Sequence, residues 1–335
     1  MRAFVLTRYG GPEATELRDM PKPVPRDGEI LVRVHAAGLN PVDFKVRRGK
    51  LRVIRRYALP VVMGNELSGV VESVGGGVSR FAIGDRVFAR VAKESLGAFA
   101  EWACVREEHA AKLPASLDFD AAAAVPLAGL TALQALRDEL HVAPKARIFV
   151  PGGAGGVGTF ALQLAKQMGA EVATTASPRG DALVRRLGAD VVVDYTKARF
   201  EDSLRDYDGV FDLVGGDDLA RAFAVVRRGG RVVSIAGPPE PETARKDLAR
   251  GAGLAALFWI ASFAIRGRAR RSGASYRYLF MHPSGADLEH LAALIARGSL
   301  EVVVDRVFDF DRIADAMAYL ESGRAKGKVV VRFAT

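Results

Sequence analysis

A single cysteine, Cys104, stands in the whole chain of 335 residues, so no internal disulfide and no multi-thiolate zinc site can form, and a reducing compartment is the expected setting. Histidine is also scarce. His35, His109, His141, His282 and His290 never fall at a ligand-pair spacing, and each is expected in packing or at the surface. No apolar run reaches the ~18 residues that a membrane-spanning helix needs. The opening MRAFVLTRYGG holds no apolar stretch of signal-peptide length, so a cytoplasmic chain is expected. Acidic residues are the minority charge, 39 against 48 basic ones, for a net +9. That imbalance is local, because Glu242 to Arg277 alone holds eight basic and two acidic side chains. With 49% hydrophobic and 26% charged residues the chain has the composition of a folded protein, and its length fits two domains.

From Met1 to about Ala123 the pattern is short apolar runs cut by Gly and Pro, among them EILVRVHAAG, LSGVVESVGGGV, GDRVFARV and AFAEWACV. These predict strands and tight turns, hence a mainly β domain. The period changes near Pro126, where PLAGLTALQALRDEL has apolar residues at helical spacing. Strand and helix then alternate. ARIFV, EVATTA, DVVVDY, GVFDLV, RVVSIAG and YRYLFM are the predicted strands, and the helices between the first three end at Gly169 and Gly188. Apolar, non-alternating strands joined by helices imply a doubly wound parallel sheet over residues 124–282. The tail 283–335 is assigned back to the first domain, which makes residues 1–123 and 283–335 one discontinuous domain.

After the first of these strands comes GGAGGVG, in which Gly153, Gly155 and Gly158 form a G-x-G-x-x-G that also contains Gly156 and Val157. Placed between strand and helix, it predicts a dinucleotide site: one glycine for the tight turn, one for approach of a pyrophosphate and one for helix packing. Thr159 and Phe160 follow where a P-loop requires Lys and Ser/Thr, which disfavours ATP or GTP. About 20 residues on, where an NAD site carries a carboxylate, the strand ends in Ala176-Ser177-Pro178-Arg179. A hydroxyl and a guanidinium suit the 2′-phosphate of NADP(H), which a carboxylate would repel. Ser177 is equally placed to cap the next helix.

AAGLNPVDFKVRRG, GDRVFA, PLAGLTAL, VPGGAGGVGTFALQLAK, LGADVVVDY, FDLVGG, GGRVVSIAG and ESGRAKGKVVV together resemble the medium-chain dehydrogenase/reductase superfamily, in its zinc-independent quinone oxidoreductase branch. NPVD, TTAS and VDYTK are most similar to plant-type enone oxidoreductases of that branch. The resemblance implies a GroES-like mainly β catalytic domain beside a Rossmann domain that binds NADP(H), and a small-molecule quinone or enone as substrate. It implies Asn40 and Lys45 beside the nicotinamide, Thr131 near its amide, and Gly155 to Val157 on the pyrophosphate. Ser177, Arg179 and Tyr195 would surround the 2′-phosphate, with Val214, Ile235, Ala236 and Phe280 lining the nicotinamide. A homodimer is implied as well. Zinc members carry cysteine at Asn40 and histidine at Asn65, so no metal is expected; Asp43 and Glu66 either orient that loop or pair with arginines.

GAGLAALFWIASFAIRGRARR, inside an insertion of about 240–275, departs from the pattern. Its uncharged run from Gly251 to Ile265 is too short to span a bilayer, and burial against the substrate cleft or a partner is expected ahead of peripheral membrane contact through 251–271. The rival to a metal-free NADPH-dependent reductase is an NADPH-binding protein that acts by association with a membrane surface or RNA through this basic segment. Nucleic acid is not the expected partner.

Overall fold

The computed structural model describes residues 1–334 and divides into two compact units, Met1–Leu130 with Pro283–Thr335, and Thr131–His282. In chain order the first unit begins with β1 (Arg2–Leu6), β2 (Thr15–Asp19), β3 (Glu29–Leu39), α1 (Pro41–Arg47), β4 (Val61–Val62) and β5 (Glu66–Val74). β6 (Arg86–Arg90), β7 (Trp102–Arg106), β8 (Ala110–Lys112) and α2 (Phe119–Ala123) follow, and α3 (Pro126–Gln134) contains the division between the units at Leu130. The second unit alternates β9 (Arg147–Val150), α4 (Gly156–Gln167), β10 (Glu171–Ala176), α5 (Pro178–Arg186), β11 (Val191–Asp194) and α6 (Phe200–Ser203). It continues through β12 (Tyr207–Asp212), α7 (Gly216–Ala222), β13 (Val226–Ser234), α8 (Ala252–Ala261), α9 (Phe263–Ser272) and β14 (Ser275–Tyr278). The chain then returns to the first unit as α10 (Gly285–Ala296), β15 (Val304–Asp309), α11 (Ile313–Glu321) and β16 (Lys328–Arg332).

The first unit is built on a sheet ordered β15-β16-β3-β5-β6-β8, with β7 also paired to β3. Its axis is β3, an eleven-residue strand whose side chains Ile30, Val32, Val34, Ala37 and Leu39 enter one apolar core with Leu67, Val87, Val105 and Val331. β16 lies antiparallel to β3, Val329 opposite Leu39, so the closing residues of the chain complete the centre of the sheet. The smaller sheet β2-β1-β4 joins the same core through Phe4 and Leu6.

The second unit is a six-stranded, wholly parallel sheet ordered β11-β10-β9-β12-β13-β14. Strand order therefore reverses between β9 and β12, and ligands of such sheets bind outside the carboxyl ends of the strands at that reversal. The strands read as unbroken apolar runs because both faces are covered: Phe149, Val210 and Val232 are buried with Phe223, Leu219 and Ile265. α4 ends at Gly169 (φ 82°) and α5 runs out at Gly188 (φ 101°), the left-handed turns their glycines predict. The last strand is shorter than YRYLFM suggests, since Leu279 to Met281 lie beyond β14.

Two insertion helices occupy the segment expected to be buried, and burial covers one face alone. Ala255, Phe258, Ser262, Ile265 and Ala269, spaced by three or four residues, are buried, whereas Leu257, Trp259, Ile260 and Phe263 are 46–67% exposed. The run is apolar all round, but α8 continues into α9 as one kinked helix, the Ser262 N–H donating to the Phe258 carbonyl and the Arg266 N–H to the Ser262 carbonyl, and a surface helix has only one face to hide.

Candidate functional site

The turn from β9 into α4 is held by the next strand. Thr174 Oγ1 accepts from the Gly153 N–H at 3.0 Å and donates to the Val150 carbonyl at 2.6 Å, while Thr175 Oγ1 accepts from the Gly152 N–H at 2.9 Å. Each of the three motif glycines then has its own reason. A Cβ on Gly153 would strike Thr174 Oγ1, and one on Gly158 would come within 2.6 Å of the Gly152 carbonyl oxygen. A Cβ on Gly155 would meet nothing nearer than 3.4 Å. Packing therefore demands the first and third glycines, and the second keeps space open. The left-handed residue of the turn is Gly152 (φ 79°), not Gly153, because the strand-to-helix reversal falls one residue earlier than the motif suggests. Gly155 is the N-cap of α4 and has no side chain to satisfy the first N–H groups of the helix, those of Gly156 and Val157 among them. A helix start left open in this way draws an anion.

At the end of β10, Ser177 is the N-cap of α5 but its hydroxyl makes no capping bond. Arg179, in the first turn, is exposed and has no carboxylate partner among the described residues. The hydroxyl and the guanidinium are both uncommitted. Tyr195, 57% exposed, follows β11, and Val214, half exposed, follows β12. The loops after β12 and β13 are tied together by two side chains that the sequence did not single out. Asp212, buried at the end of β12, accepts from the N–H groups of Val214 and Gly215 at 3.2 and 2.9 Å and from Ser234 Oγ at 2.6 Å. Ser234 Oγ in turn accepts from the Ala236 and Gly237 N–H groups at 3.1 and 2.8 Å, and the Ile235 N–H donates to the Asp212 carbonyl. Burial pushes the Asp212 carboxyl above its ordinary range, against the pull of its three donors.

Gly153 to Gly158, Ser177, Arg179, Tyr195, Val214, Ile235 and Ala236 thus gather at the carboxyl ends of adjacent strands. Phe280, two residues beyond β14, is half-buried, and its N–H donates to Asp247 at 2.9 Å. Thr131 sits in α3 with its side chain buried.

In the first unit the loop from β3 into α1 and the start of β5 enclose a polar cluster. Asn40 Nδ2 donates to Glu66 Oε1 at 2.6 Å, and Asn40 Oδ1 accepts from Lys328 Nζ. Lys328 also donates to Glu66 Oε1 at 2.7 Å and to the Leu39 carbonyl at 3.0 Å, and Glu66 Oε2 accepts from the Leu127 N–H at 2.6 Å. Asp43 accepts from the Asn40 N–H at 2.7 Å and from Asn65 Nδ2 at 2.6 Å. All five polar side chains are buried. The cation that meets Glu66 is therefore a lysine from the closing strand and not one of the nearby arginines; Arg47 is turned instead to Glu321 at 2.5 Å. Lys328 lies in the KVVV run, where an isolated lysine gives no sign of pointing inward. Burial, aided by Glu66, pushes the Asp43 carboxyl up to about 7.

Two amides, two carboxylates and an ammonium do not make a zinc site, because the ammonium already neutralises Glu66 and an amide is a poor ligand for that metal. Among the described residues no group of three His, Cys, Asp or Glu is arranged to hold a metal ion. The amide of Asn40 is engaged at both ends inside the protein. Lys45, one turn into α1, is the reactive group left unengaged: it is half-buried, has no partner among the described residues, and burial holds its ammonium below the usual lysine range. His35, stacked on Phe119 with ring centroids 4.2 Å apart, is a packing residue.

An alcohol dehydrogenase GroES-like domain model matches residues 26–115, and a zinc-binding dehydrogenase model matches residues 187–331. The chain is 37% identical over 99% of its length, and 79% of the relative's, to the chloroplastic NADPH-dependent alkenal/one oxidoreductase of Arabidopsis thaliana. Among solved structures it is similar to the quinone oxidoreductase from Coxiella burnetii, at 30% identity and a TM-score of 0.86 with 99% of both chains covered. The Escherichia coli quinone oxidoreductase complexed with NADPH superposes with a TM-score of 0.83 at 26% identity, over 99% of this chain and all of that one. With both domain models matched and relatives aligned over 99% of this chain, the chain belongs to the medium-chain dehydrogenase/reductase superfamily, in its quinone oxidoreductase branch.

Proposed function

We propose that the protein is an NADPH-dependent reductase of quinones and α,β-unsaturated carbonyls that works without a metal. The observation that carries this reading is the end of β10, where a free hydroxyl and a free guanidinium stand in place of a carboxylate. Ser177 and Arg179, with Tyr195, would hold the 2′-phosphate, and the open start of α4 would hold the pyrophosphate with Gly155 leaving room for it. Val214, Ile235 and Ala236, braced by Asp212 and Ser234, would meet the nicotinamide, together with Thr131 and Phe280. When bound, the coenzyme supplies the hydride that an enone takes at its β-carbon or a quinone at its ring system.

The chain's own chemistry lies with the oxygen at the far end of the conjugated system, where negative charge collects. Lys45 is the donor proposed for that oxygen. A partly buried ammonium gives up a proton more readily than a solvated one, so Lys45 both hydrogen-bonds the developing enolate and protonates it. Asn40 is a positioning residue: Lys328 and Glu66 hold its amide, and Asp43 holds its N–H, which fixes the entry into α1 and hence Lys45. The relatives named for NADPH and for alkenal/one or quinone reduction support the same substrate class. Initial rates with NADPH and with NADH, using 1,4-benzoquinone and a small enone and with or without a chelator, test it. NADPH oxidation that a chelator does not affect is expected; preference for NADH, or loss of activity to the chelator, overturns it.

A homodimer is the partner proposed for the second unit. β14 closes its sheet, and the outer edge of that strand pairs with no other strand among the described residues, leaving a template for a second copy. Light scattering of the purified chain tests it, and a monomer at micromolar concentration rules it out.

A further inference from the structure

We propose that the outer face of the kinked α8–α9 helix docks on an anionic lipid surface. Opposite the buried stripe, which packs against residues 243–247 along α8 and against β13 and β14 along α9, Leu257, Trp259, Ile260 and Phe263 are exposed, joined by Ala256, Ala261 and Ala264. A surface helix ordinarily turns polar side chains outward there. Here no charged residue occurs between Arg250 and Arg266, and a contiguous apolar patch of this kind marks an interaction site. Trp259 and Phe263 lie with ring centroids 5.7 Å apart, and the Arg266 guanidinium sits 5.3 Å over the indole while donating to the Trp259 carbonyl at 3.0 Å. An indole beside a guanidinium is the pairing that suits the boundary between headgroups and acyl chains.

Charge selects the occupant. Arg250, Arg268, Arg270 and Arg271 are exposed and have no carboxylate partner among the described residues, and no acidic residue lies between Asp247 and Arg277. A two-fold contact with a second copy would bring this patch onto itself and set arginine against arginine. Phosphate-bearing headgroups meet the same arginines with opposite charge while the apolar side chains enter the interface. No described helix is long and apolar enough to cross a membrane, so the contact is peripheral. It does not depend on the reductase reading, since binding is measured without turnover.

The test is co-sedimentation of the full chain with phosphatidylcholine vesicles containing about 30 mol% phosphatidylglycerol, against pure phosphatidylcholine. Binding to the anionic vesicles alone, weakened by salt, is expected. In a Trp102→Phe chain the remaining tryptophan, Trp259, should shift its emission to shorter wavelength on the same vesicles. Ile260→Asp with Phe263→Asp should lower vesicle affinity at least ~10-fold with an unchanged melting temperature, and neutralising Arg268, Arg270 and Arg271 to Gln should remove most of the salt dependence. No vesicle binding, or binding that both sets of substitutions leave intact, overturns the proposal. So does a patch that instead holds two copies together, seen as dissociation of a dimer by the aspartate pair, or one that binds RNA and not vesicles.

Discussion

Ser177 and Asp43 show how a single side chain sets a property of the whole enzyme. The Ser177 hydroxyl has no cap to make, so replacing it by a carboxylate removes a phosphate donor and adds repulsion without breaking a protein contact. Ser177→Asp should raise the KM for NADPH about 10- to 100-fold and leave that for NADH nearly unchanged, as initial-rate kinetics would record. Asp43 acts on stability. Its folded pKa is about 7 against an ordinary 3.8, so the folded chain holds this proton over a range in which the unfolded chain has lost it. The contribution of Asp43 is complete below pH ~4 and is lost as pH rises through 7, and the sign is opposite to that of a salt-bridged carboxylate. Denaturant titrations of Asp43→Asn between those limits should show a flatter dependence on pH than the parent, whatever the offset from the altered hydrogen bonds. A slope identical to the parent's would mean that Asp43 is ionised throughout.

At the scale of the element, the β9–α4 turn depends on contacts that the motif alone does not reveal. Ala at Gly158 would place a methyl 2.6 Å from the Gly152 carbonyl oxygen and 2.6 Å from Gly153 Cα, both backbone atoms that cannot swing aside. Gly158→Ala should cost about 1–3 kcal/mol and weaken coenzyme binding, whereas Gly155→Ala should leave stability within about 1 kcal/mol and weaken binding alone. Thermal melts with and without NADPH separate the two effects. The sequence carried the motif, the strands and the helix ends because each has a local signature: glycine spacing, apolar runs and left-handed glycines. It did not disclose Thr174 and Thr175 as the clamp, since a threonine pair in a strand reads as ordinary β-propensity. Asp212 and Ser234 stayed hidden for a related reason. Their partners are backbone N–H groups of loops, and hydrogen bonds to loops leave no periodic trace. The α8–α9 helix was legible as apolar but not as half-exposed, because periodicity shows an amphipathic stripe only when the outward face is polar.

At the scale of the whole molecule, the first unit is completed only when β16 joins its sheet. β16 supplies the strand that lies between β15 and β3, and its first residue, Lys328, carries the only ammonium in the buried cluster of Asn40, Asp43, Asn65 and Glu66. Removing one partner of a buried ion pair leaves the other uncompensated, so Lys328→Met should destabilise the chain by about 3–5 kcal/mol. A Glu66→Gln, Lys328→Met double variant should recover part of that loss, because it leaves no lone charge. Deleting residues 328–335 goes further, since it removes the charge and exposes the β3 edge together. The second unit keeps all six of its strands in that deletion, from β9 to β14. Hydrogen exchange on the shortened chain should therefore show β3 and β5 unprotected while β9, β10 and β12 retain protection. Equal loss in both units would mean that the chain folds as one cooperative block, and unchanged protection of β3 would mean that β16 is dispensable to the sheet it completes.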